Sequence, residues 1–452
     1  MSERRVIARH AGTVLVGQLA VIAFGVVDTI VAGRFSDRAL AALSVGSAVY
    51  ITFFVAMMGM FQALLPAWAE LHGARRHTDV GRSVRQSLYL AGIAMLVGCS
   101  ALLAPGPLLR WTQVPETVQS DVSGYLAVLA LAMPPALLFR MYSTLNQSLG
   151  KPQLVTWLQA LSLLLKVPLT IWFAFGGLGV PPLGAVGCAW ATVAVNYTLL
   201  ACAIWLLKTR PLYATYGIWA RMERPHWRTL RDFARLGVPA GLSVMVEVTS
   251  FTLMALFIAR QGVVASAAHQ IAANLTAMLY MVPLSLSIAT SARASYCLGA
   301  GEVKNARAVI RTGFRMALTM AIVLTCIVAA AKHQIAALYS GNPAVVAMAA
   351  GLLGWLALYH LGDSTQTMCV FVLRCYRVTI APLMAYSVLL WGVGLAGGYA
   401  LAYRGLGPIA ALQSPTAFWI GGAFALWLLS AMLLAMVWRA VRSYRIPPAL
   451  RA

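Results

Sequence analysis

Long apolar stretches alternate with short polar segments along the whole chain. Each stretch is near or above the roughly 20 residues that an α-helix needs to cross a bilayer. Glycine, proline and charged residues separate one stretch from the next. The predicted spans are residues 11–34, 40–70, 86–110, 120–149, 153–178, 184–208, 229–260, 264–292, 307–339, 344–374, 378–403 and 413–438. The pattern therefore predicts an all-α, polytopic membrane protein with 12 transmembrane helices.

The second half of the chain repeats the pattern of the first. The segment from Ala39 aligns with the segment from Ser266: small residues come first, then an interior Pro or Ser, then a basic loop containing Gly. Six spans in each half give the halves the same orientation, so they are parallel repeats related by a pseudo-twofold axis along the membrane normal. Duplicated bundles of this kind usually bind substrate between the halves. The predicted parts are an N-lobe at 1–210, a cytoplasmic linker at 211–228 and a C-lobe at 229–452.

Composition and charge agree with a membrane protein. The chain is 61% hydrophobic and 10% charged, whereas a soluble domain carries about 25% charged residues. The net charge of +22 comes from Lys and Arg in short loops beside the spans, where they set topology and meet anionic membrane lipids. This explanation leaves no reason to expect a nucleic-acid partner. Most of the 34 basic residues fall in the loops on the side of the N-terminus, which predicts that both termini are cytoplasmic.

Three of the 12 acidic residues lie deep inside predicted spans: Asp28, Glu247 and Asp363. An ionised group in hydrocarbon is costly, and it is normally kept where it faces a cavity, pairs with another charge or carries an ion. The alternative is a structural anchor, for example Asp28 held by Thr29. Three carboxylates inside predicted spans favour a transporter over a purely structural role.

Lys166 is a fourth charged residue inside a predicted span. It lies about halfway along the span, too far from either interface for its ammonium to reach water. An ion pair with Asp28, across the first and fifth helices, is favoured over an unpaired lysine.

Several segments together resemble the multidrug and toxic compound extrusion (MATE) family, in its NorM-like branch. They are GVVDTIVAGRFSDRALAALSVG, RLGVPAGLSVMVEVTSF, ASAAHQIAANL and NQSLGKPQLVTWLQALSLLLKVPLTIWFAFGGLGVPPLGAVGCAWAT. The resemblance extends over nearly the whole chain, and the combination is specific although no single segment is. It implies two six-helix lobes and an antiporter of the bacterial inner membrane. Small organic cations or amphiphilic drugs leave the cell in exchange for Na⁺ or H⁺, without a cofactor and with a monomer as the expected state.

The resemblance also implies an ion-coupling site. The cation-site carboxylates of the family's C-lobe match Glu247 and Asp363, with Tyr359 one helical turn before Asp363, and the N-lobe carboxylate matches Asp28. Hard cations such as Na⁺ prefer oxygen ligands, so these groups suit Na⁺. Two neighbouring buried carboxyl groups also suit a proton, because like charges disfavour the doubly ionised state. The sequence does not choose between the two ions.

The N-lobe pocket that the resemblance implies contains Asp28, Lys166, Thr170 and Thr192. Lys166 and Thr170 stand where the family commonly has Asn or Asp, and a lysine there argues against an N-lobe Na⁺ site. A substrate cavity lined by apolar, aromatic and methionine side chains suits organic cations, although packing or lipid contact is the ordinary role of such residues. The candidate cavity residues are Gln270, Met278 and Tyr280.

Two other function classes fit the sequence less well than drug antiport. A flippase for lipid-linked intermediates needs a basic cavity for a pyrophosphate. Deep inside the predicted spans, however, the three acids Asp28, Glu247 and Asp363 outnumber the two bases Lys166 and Arg140. An intramembrane enzyme is disfavoured because the sequence contains no HExxH, no GxSxG and no paired-Asp metal motif. Direct use of ATP is disfavoured because no Walker loop is present.

Overall fold

The computed structural model describes residues 3–106, 116–177, 179–405, 407–408 and 410–444. Within these residues, 12 helices are long and apolar enough to cross a bilayer, and no β-strand is formed. The all-α class and the 12 spans predicted from the sequence are therefore confirmed. The helices are α1 (Glu3–Phe35), α2 (Asp37–Gly73), α3 (His77–Leu103), α4 (Glu116–Ser148), α5 (Gln153–Phe175), α6 (Ala185–Thr209), α7 (Trp227–Ala259), α8 (Val263–Gly299), α9 (Val303–Ala330), α10 (Pro343–Cys375), α11 (Ile380–Tyr403) and α12 (Thr416–Ser443).

Three helix limits differ clearly from the prediction. Helices α1 and α3 begin at Glu3 and His77, not at residues 11 and 86, because helical hydrogen bonding continues through polar residues that an apolar pattern excludes. The single span predicted at 307–339 is divided, since α9 ends at Ala330 and a separate short helix covers Lys332–Tyr339. The last residues of the span predicted at 86–110 lie outside the described part of the chain.

Two of the helices are irregular along their length. Helix α2 is interrupted at Ala63 and Leu64, just before Pro66 at the start of its second part. Proline has no N–H to donate and its ring clashes with the preceding turn, which explains the interruption. Helix α11 is a π-helix over Ser387–Ala396. Such wider turns are rare and are frequently found at functional sites.

Four helices end in the same kind of turn, two in each half of the chain. The second residue after the helix has a positive φ at Arg75 (57°), Gly150 (68°), Gly301 (76°) and Arg377 (62°). The next residue donates its backbone N–H to a carbonyl five residues earlier, as in Lys151 to Asn146. These closing bonds satisfy helix carbonyls that lack a partner within the helix. The recurrence after α2, α4, α8 and α10 supports the internal repeat.

The chain divides into two compact units, Val16–Gly241 and Met1–Leu15 together with Leu242–Ala452. Both divisions fall inside helices, α1 and α7, whereas the lobe limits predicted from the sequence follow loops and stay a prediction. Each unit has its own apolar core. Helices α4 and α10 are the most buried spans of their respective units, so groups on α10 are well removed from lipid.

Candidate functional site

The first unit contains a buried ion pair between α1 and α5. The Nζ atom of Lys166 lies 2.7 Å from Oδ1 of Asp28. The same ammonium donates to Oγ1 of Thr192 at 2.7 Å and to the carbonyl of Cys188 at 3.2 Å. Since an ammonium has three N–H donors, every donor of Lys166 has an acceptor. The contact between Lys166 and Asp28 that the sequence suggested is therefore present.

The surroundings of this pair hold it in place. Thr170, one turn after Lys166 on α5, donates its hydroxyl to Oδ1 of Asp28 at 3.4 Å. Helix α6 comes close to α5 because Gly187 has no side chain: a Cβ there would collide with the carbonyl of Phe173. This close approach puts the carbonyl of Cys188 within reach of the lysine. All four residues predicted for the N-lobe pocket thus lie in one hydrogen-bonded group.

The second unit brings two carboxylates together through a glutamine. Nε2 of Gln366 donates to Oδ1 of Asp363 at 3.0 Å and to Oε1 of Glu247 at 3.4 Å. The Oε1 atom of Gln366 is buried and has no hydrogen-bond partner among the described residues. Asp363 is fully buried and Glu247 half-buried. Two carboxylates and a free amide oxygen form the kind of oxygen-rich group that a hard monovalent cation or a proton requires.

A narrow cavity adjoins this group on α7. Glu247 and Tyr359 line it, together with Phe251, Leu390, Gly394 and Phe418. Leu390 and Gly394 belong to the π-helical part of α11, so the irregular turn lies beside the carboxylates. The ring of Tyr359 packs against the rings of Phe251 and Trp419, at centroid distances of 6.3 and 5.6 Å. Glu247 therefore faces a cavity with an aromatic wall.

The three candidate cavity residues lie in different surroundings. Tyr280 on α8 is half-buried and lies within electrostatic range of Glu247 and Asp363. Met278 is 49% exposed. Gln270 is exposed and donates to Oδ1 of Asn274 at 3.1 Å. Contact of any of the three with a substrate stays a prediction.

Gln366 is the site residue that the sequence reasoning missed. It lies three residues after Asp363, which places both side chains on one face of α10. A polar amide inside an apolar span was the available signal, but a neutral side chain is less conspicuous than a charge. The carbonyl of Cys188 was also missed, because a backbone acceptor leaves no trace in the sequence.

A further polar group lies in the first unit around Arg140. The Nη2 atom of Arg140 donates to Oε1 of Gln62 at 2.5 Å, and Nε2 of Gln62 donates to Oε1 of Gln147 at 2.9 Å. Arg140 is buried, so it faces the interior of its unit and not lipid. No ion pair involves it among the described residues.

Comparison with known proteins gives consistent matches. The MatE family model matches residues 14–172 and 239–400. A protein described as "Probable multidrug resistance protein NorM" from Aromatoleum aromaticum is 36% identical over 425 residues, covering 94% of this chain and 91% of the relative. A protein of the same description from Neisseria meningitidis serogroup B is 31% identical over 409 residues, covering 89% and 88%.

Solved structures show the same fold. The crystal structure of the eukaryotic MATE transporter AtDTX14 has a TM-score of 0.86 at 17% identity and covers 97% of both chains. A crystal structure of MATE in the straight conformation has a TM-score of 0.86 at 17% identity, covering 98% of this chain and 97% of the other. The 12-helix arrangement is thus shared with these proteins.

Proposed function

The chain belongs to the MatE family, and from this membership we propose a mechanism for it as a multidrug efflux antiporter. Its relatives of 31–36% identity carry the name of multidrug resistance proteins, and the protein is a transporter and not an enzyme. The flippase alternative is not favoured. The proposed substrates are small organic cations and amphiphilic drugs, which leave as Na⁺ or H⁺ enters down its gradient.

One observation carries the mechanism: Glu247 and Asp363 share the side chain of Gln366 beside a cavity. Two ionised carboxylates held this close together repel each other unless a cation or a proton lies between them. The repulsion between the two carboxylates therefore falls when an ion binds. We assign the coupling ion to this pair, with Tyr359 contributing its hydroxyl and its ring to the same cavity.

The N-lobe pocket has a different role in this proposal. The ammonium of Lys166 is bound by Asp28, Thr192 and the Cys188 carbonyl, as a small cation would be. A second cation beside Asp28 would meet the repulsion of this ammonium. The pocket around Asp28 and Thr170 therefore keeps its own fixed cation, and coupling rests on the second unit.

The proposed setting is the bacterial inner membrane, with both termini in the cytoplasm and a single chain as the functional unit. The NorM relatives and the 12 apolar helices support the membrane location. The concentration of Lys and Arg in the loops on the side of the N-terminus supports the orientation.

The test is dye extrusion by cells that express Glu247→Gln or Asp363→Asn, with membrane levels matched by immunoblot. Each variant should lower extrusion by about tenfold or more, since loss of one charge-assisted contact of about 1.5 kcal/mol weakens ion binding by that factor. Asp232→Asn is the matched control, because Asp232 is exposed at the start of α7. Wild-type extrusion by both site variants would contradict the assignment.

The coupling ion is identified with purified protein in proteoliposomes. A Na⁺ gradient and a proton gradient are applied separately, and uptake of an organic cation is followed. Uptake driven by one gradient should disappear in Asp363→Asn and persist in Asp232→Asn.

A further inference from the structure

The end of α6 and the segment after it enclose a pocket of about 480 Å³. A short 3₁₀-helix covers Pro211–Tyr216, and Gly217 has a positive φ of 57° that turns the chain back toward α6. The indole N–H of Trp219 then donates to the carbonyl of Leu207 at 3.2 Å. That carbonyl belongs to the last turn of α6, where carbonyls have no partner within the helix.

Basic side chains and an aromatic ring line this pocket. The Nζ atom of Lys208 lies 5.0 Å from the ring centroid of Trp219, and Arg210 and Thr209 lie on the same wall. No carboxylate lines the pocket. Lys208 and Arg210 are exposed, and neither forms an ion pair in the described part of the chain. The pocket therefore has the charge of an anion site.

The segment that forms the pocket is fixed to α3. Glu223 accepts from Arg82 and from Arg85, each at 2.8 Å, and its carbonyl accepts from the hydroxyl of Tyr89 at 2.7 Å. Gly81 allows the carbonyl of Tyr216 to lie against α3, since a Cβ at residue 81 would collide with it. The pocket is consequently formed before any ligand binds.

An apolar face leads from lipid to the pocket. On α6, Tyr197 and Ile204 are exposed and stand seven residues apart, and Lys208 follows one turn later on the same face. Trp205 is 61% exposed and Trp219 54% exposed. Exposed tryptophans at the end of a membrane-spanning helix are typical of the interface between hydrocarbon and headgroups.

We propose that this pocket binds the phosphate headgroup of an anionic phospholipid. Lys208 and Arg210 contact the phosphate oxygens, as basic clusters next to a membrane-spanning helix do. The indole of Trp219 lies at the level of the glycerol, and the acyl chains run along Ile204 and Tyr197. A phospholipid fits better than a soluble anion, because the basic wall is continuous with a lipid-facing apolar surface. Lipid binding at this pocket does not depend on the proposed transport mechanism.

The test uses the full-length protein in detergent, titrated with phosphatidylglycerol or phosphatidylcholine, with bound lipid counted by native mass spectrometry. Lys208→Gln with Arg210→Gln should weaken phosphatidylglycerol binding by roughly 10- to 30-fold, given the usual contribution of each basic residue near an anionic surface. Lys304→Gln with Arg311→Gln removes two exposed charges from the other unit and should leave binding unchanged. Phosphatidylcholine should bind weakly to all three proteins.

Three results would overturn the proposal. Equal weakening by both pairs of substitutions would show a diffuse charge effect without a site. Displacement of phosphatidylglycerol by inorganic phosphate at the same concentration would show a soluble-anion pocket. Unchanged binding in the Lys208/Arg210 variant would show that the lipid binds elsewhere. If the double variant does not fold, Lys208→Gln alone provides the measurement, with an expected intermediate loss, and Lys208→Arg should restore wild-type binding.

Discussion

Lys166 has all three of its donors occupied inside the first unit, and only 1% of its side chain is exposed. Removing charges from water is costly, and a buried pair recovers that cost only when its hydrogen bonding is complete. The ammonium of Lys166 meets this condition. Lys166 is thus a counterion for Asp28 that belongs to the chain itself, and the proposal is that it excludes a second cation.

A double-mutant cycle tests this pairing. Asp28→Asn alone and Lys166→Asn alone should each destabilise the protein by about 3–5 kcal/mol, because each leaves one charge buried without its partner. The double variant should lose clearly less than the sum. Thermal unfolding in detergent gives the comparison, and Lys151→Asn, at an exposed lysine, is the control. Strict additivity of the two single effects would exclude the pairing.

The sequence predicted this part of the site because charge inside an apolar span is conspicuous. Asp28 and Lys166 stand out from their neighbours, and the cost of leaving either unpaired suggests the other as its partner. Gln366 does not stand out in the same way, since its importance depends on where its amide points. Glu247 and Asp363 were predicted to share one site, but the residue that bridges them was not predicted.

At the scale of elements, the segment between α6 and α7 is held against α3 of the first unit. Its contacts with α3 include a carboxylate shared by two guanidinium groups, of Arg82 and Arg85. Arg85 also donates to the carbonyl of Gly217 and is buried. A predicted linker is therefore held at defined points, and these contacts fix the shape of the proposed lipid pocket.

Glu223→Gln should release this segment. Loss of the charged contacts with Arg82 and Arg85 should speed amide exchange across 210–226 by roughly fivefold, equivalent to about 1 kcal/mol for partly exposed ion pairs. The rate of amide exchange is measured by hydrogen–deuterium exchange with mass spectrometry. Asp79→Asn is the matched control, since the ion pair between Asp79 and Arg76 lies within α3 and its preceding turn. Equal exchange in wild type and Glu223→Gln would contradict the attachment.

The effect of Glu223 should also depend on pH. The hydrogen bond from Arg85 holds the pKa of Glu223 below its ordinary value, with Arg82 adding to the effect. A carboxyl with a lowered pKa contributes its full stabilisation above the ordinary value of about 4.3. That contribution is lost as the pH falls through the lowered pKa of the folded state. The difference between wild type and Glu223→Gln should therefore vanish in acid.

The sequence predicted that the helices exist, but it did not predict their exact limits or their irregular turns. Apolar length predicts a span, but helical hydrogen bonding does not stop where apolar residues stop, so α1 begins earlier than its apolar stretch. The division after Ala330 and the π-helical turns of Ser387–Ala396 also escaped. The π-helical region is as apolar as a regular helix, so the pattern of hydrophobic positions cannot distinguish it. The polar residues Lys332, His333 and Gln334 that follow the division were a signal that the predicted span 307–339 did not use.

At the scale of the whole molecule, the chain is a duplicated set of six helices. The equivalent turns after α2, α4, α8 and α10 use glycine at two positions and arginine at the other two. A left-handed backbone disfavours arginine, by about 1 kcal/mol or more. Arginine at these two positions has a different advantage, because basic residues in loops favour the cytoplasmic side of the membrane.

The orientation is tested with reporter fusions at residue 452 and within 211–226. Both should report a cytoplasmic location, because an even number of spans returns the chain to its starting side and the basic loops lie there. A fusion after Arg260, between α7 and α8, is the internal control and should report the opposite side. A periplasmic signal from either of the first two fusions would contradict the proposed topology.

The fixed lysine of the first unit also has an electrical consequence. Lys166 belongs to the chain, so its charge does not enter the cell with each cycle as that of a free ion would. In Lys166→Asn, Asp28 is free to take up one further coupling ion, and each cycle moves one more positive charge inward. One charge crossing 100 mV gains about 2.3 kcal/mol, which raises the limiting drug gradient by roughly 50-fold. Proteoliposomes clamped with potassium and valinomycin should therefore show steeper voltage dependence for the variant than for the wild type, and equal slopes would contradict this role of the lysine.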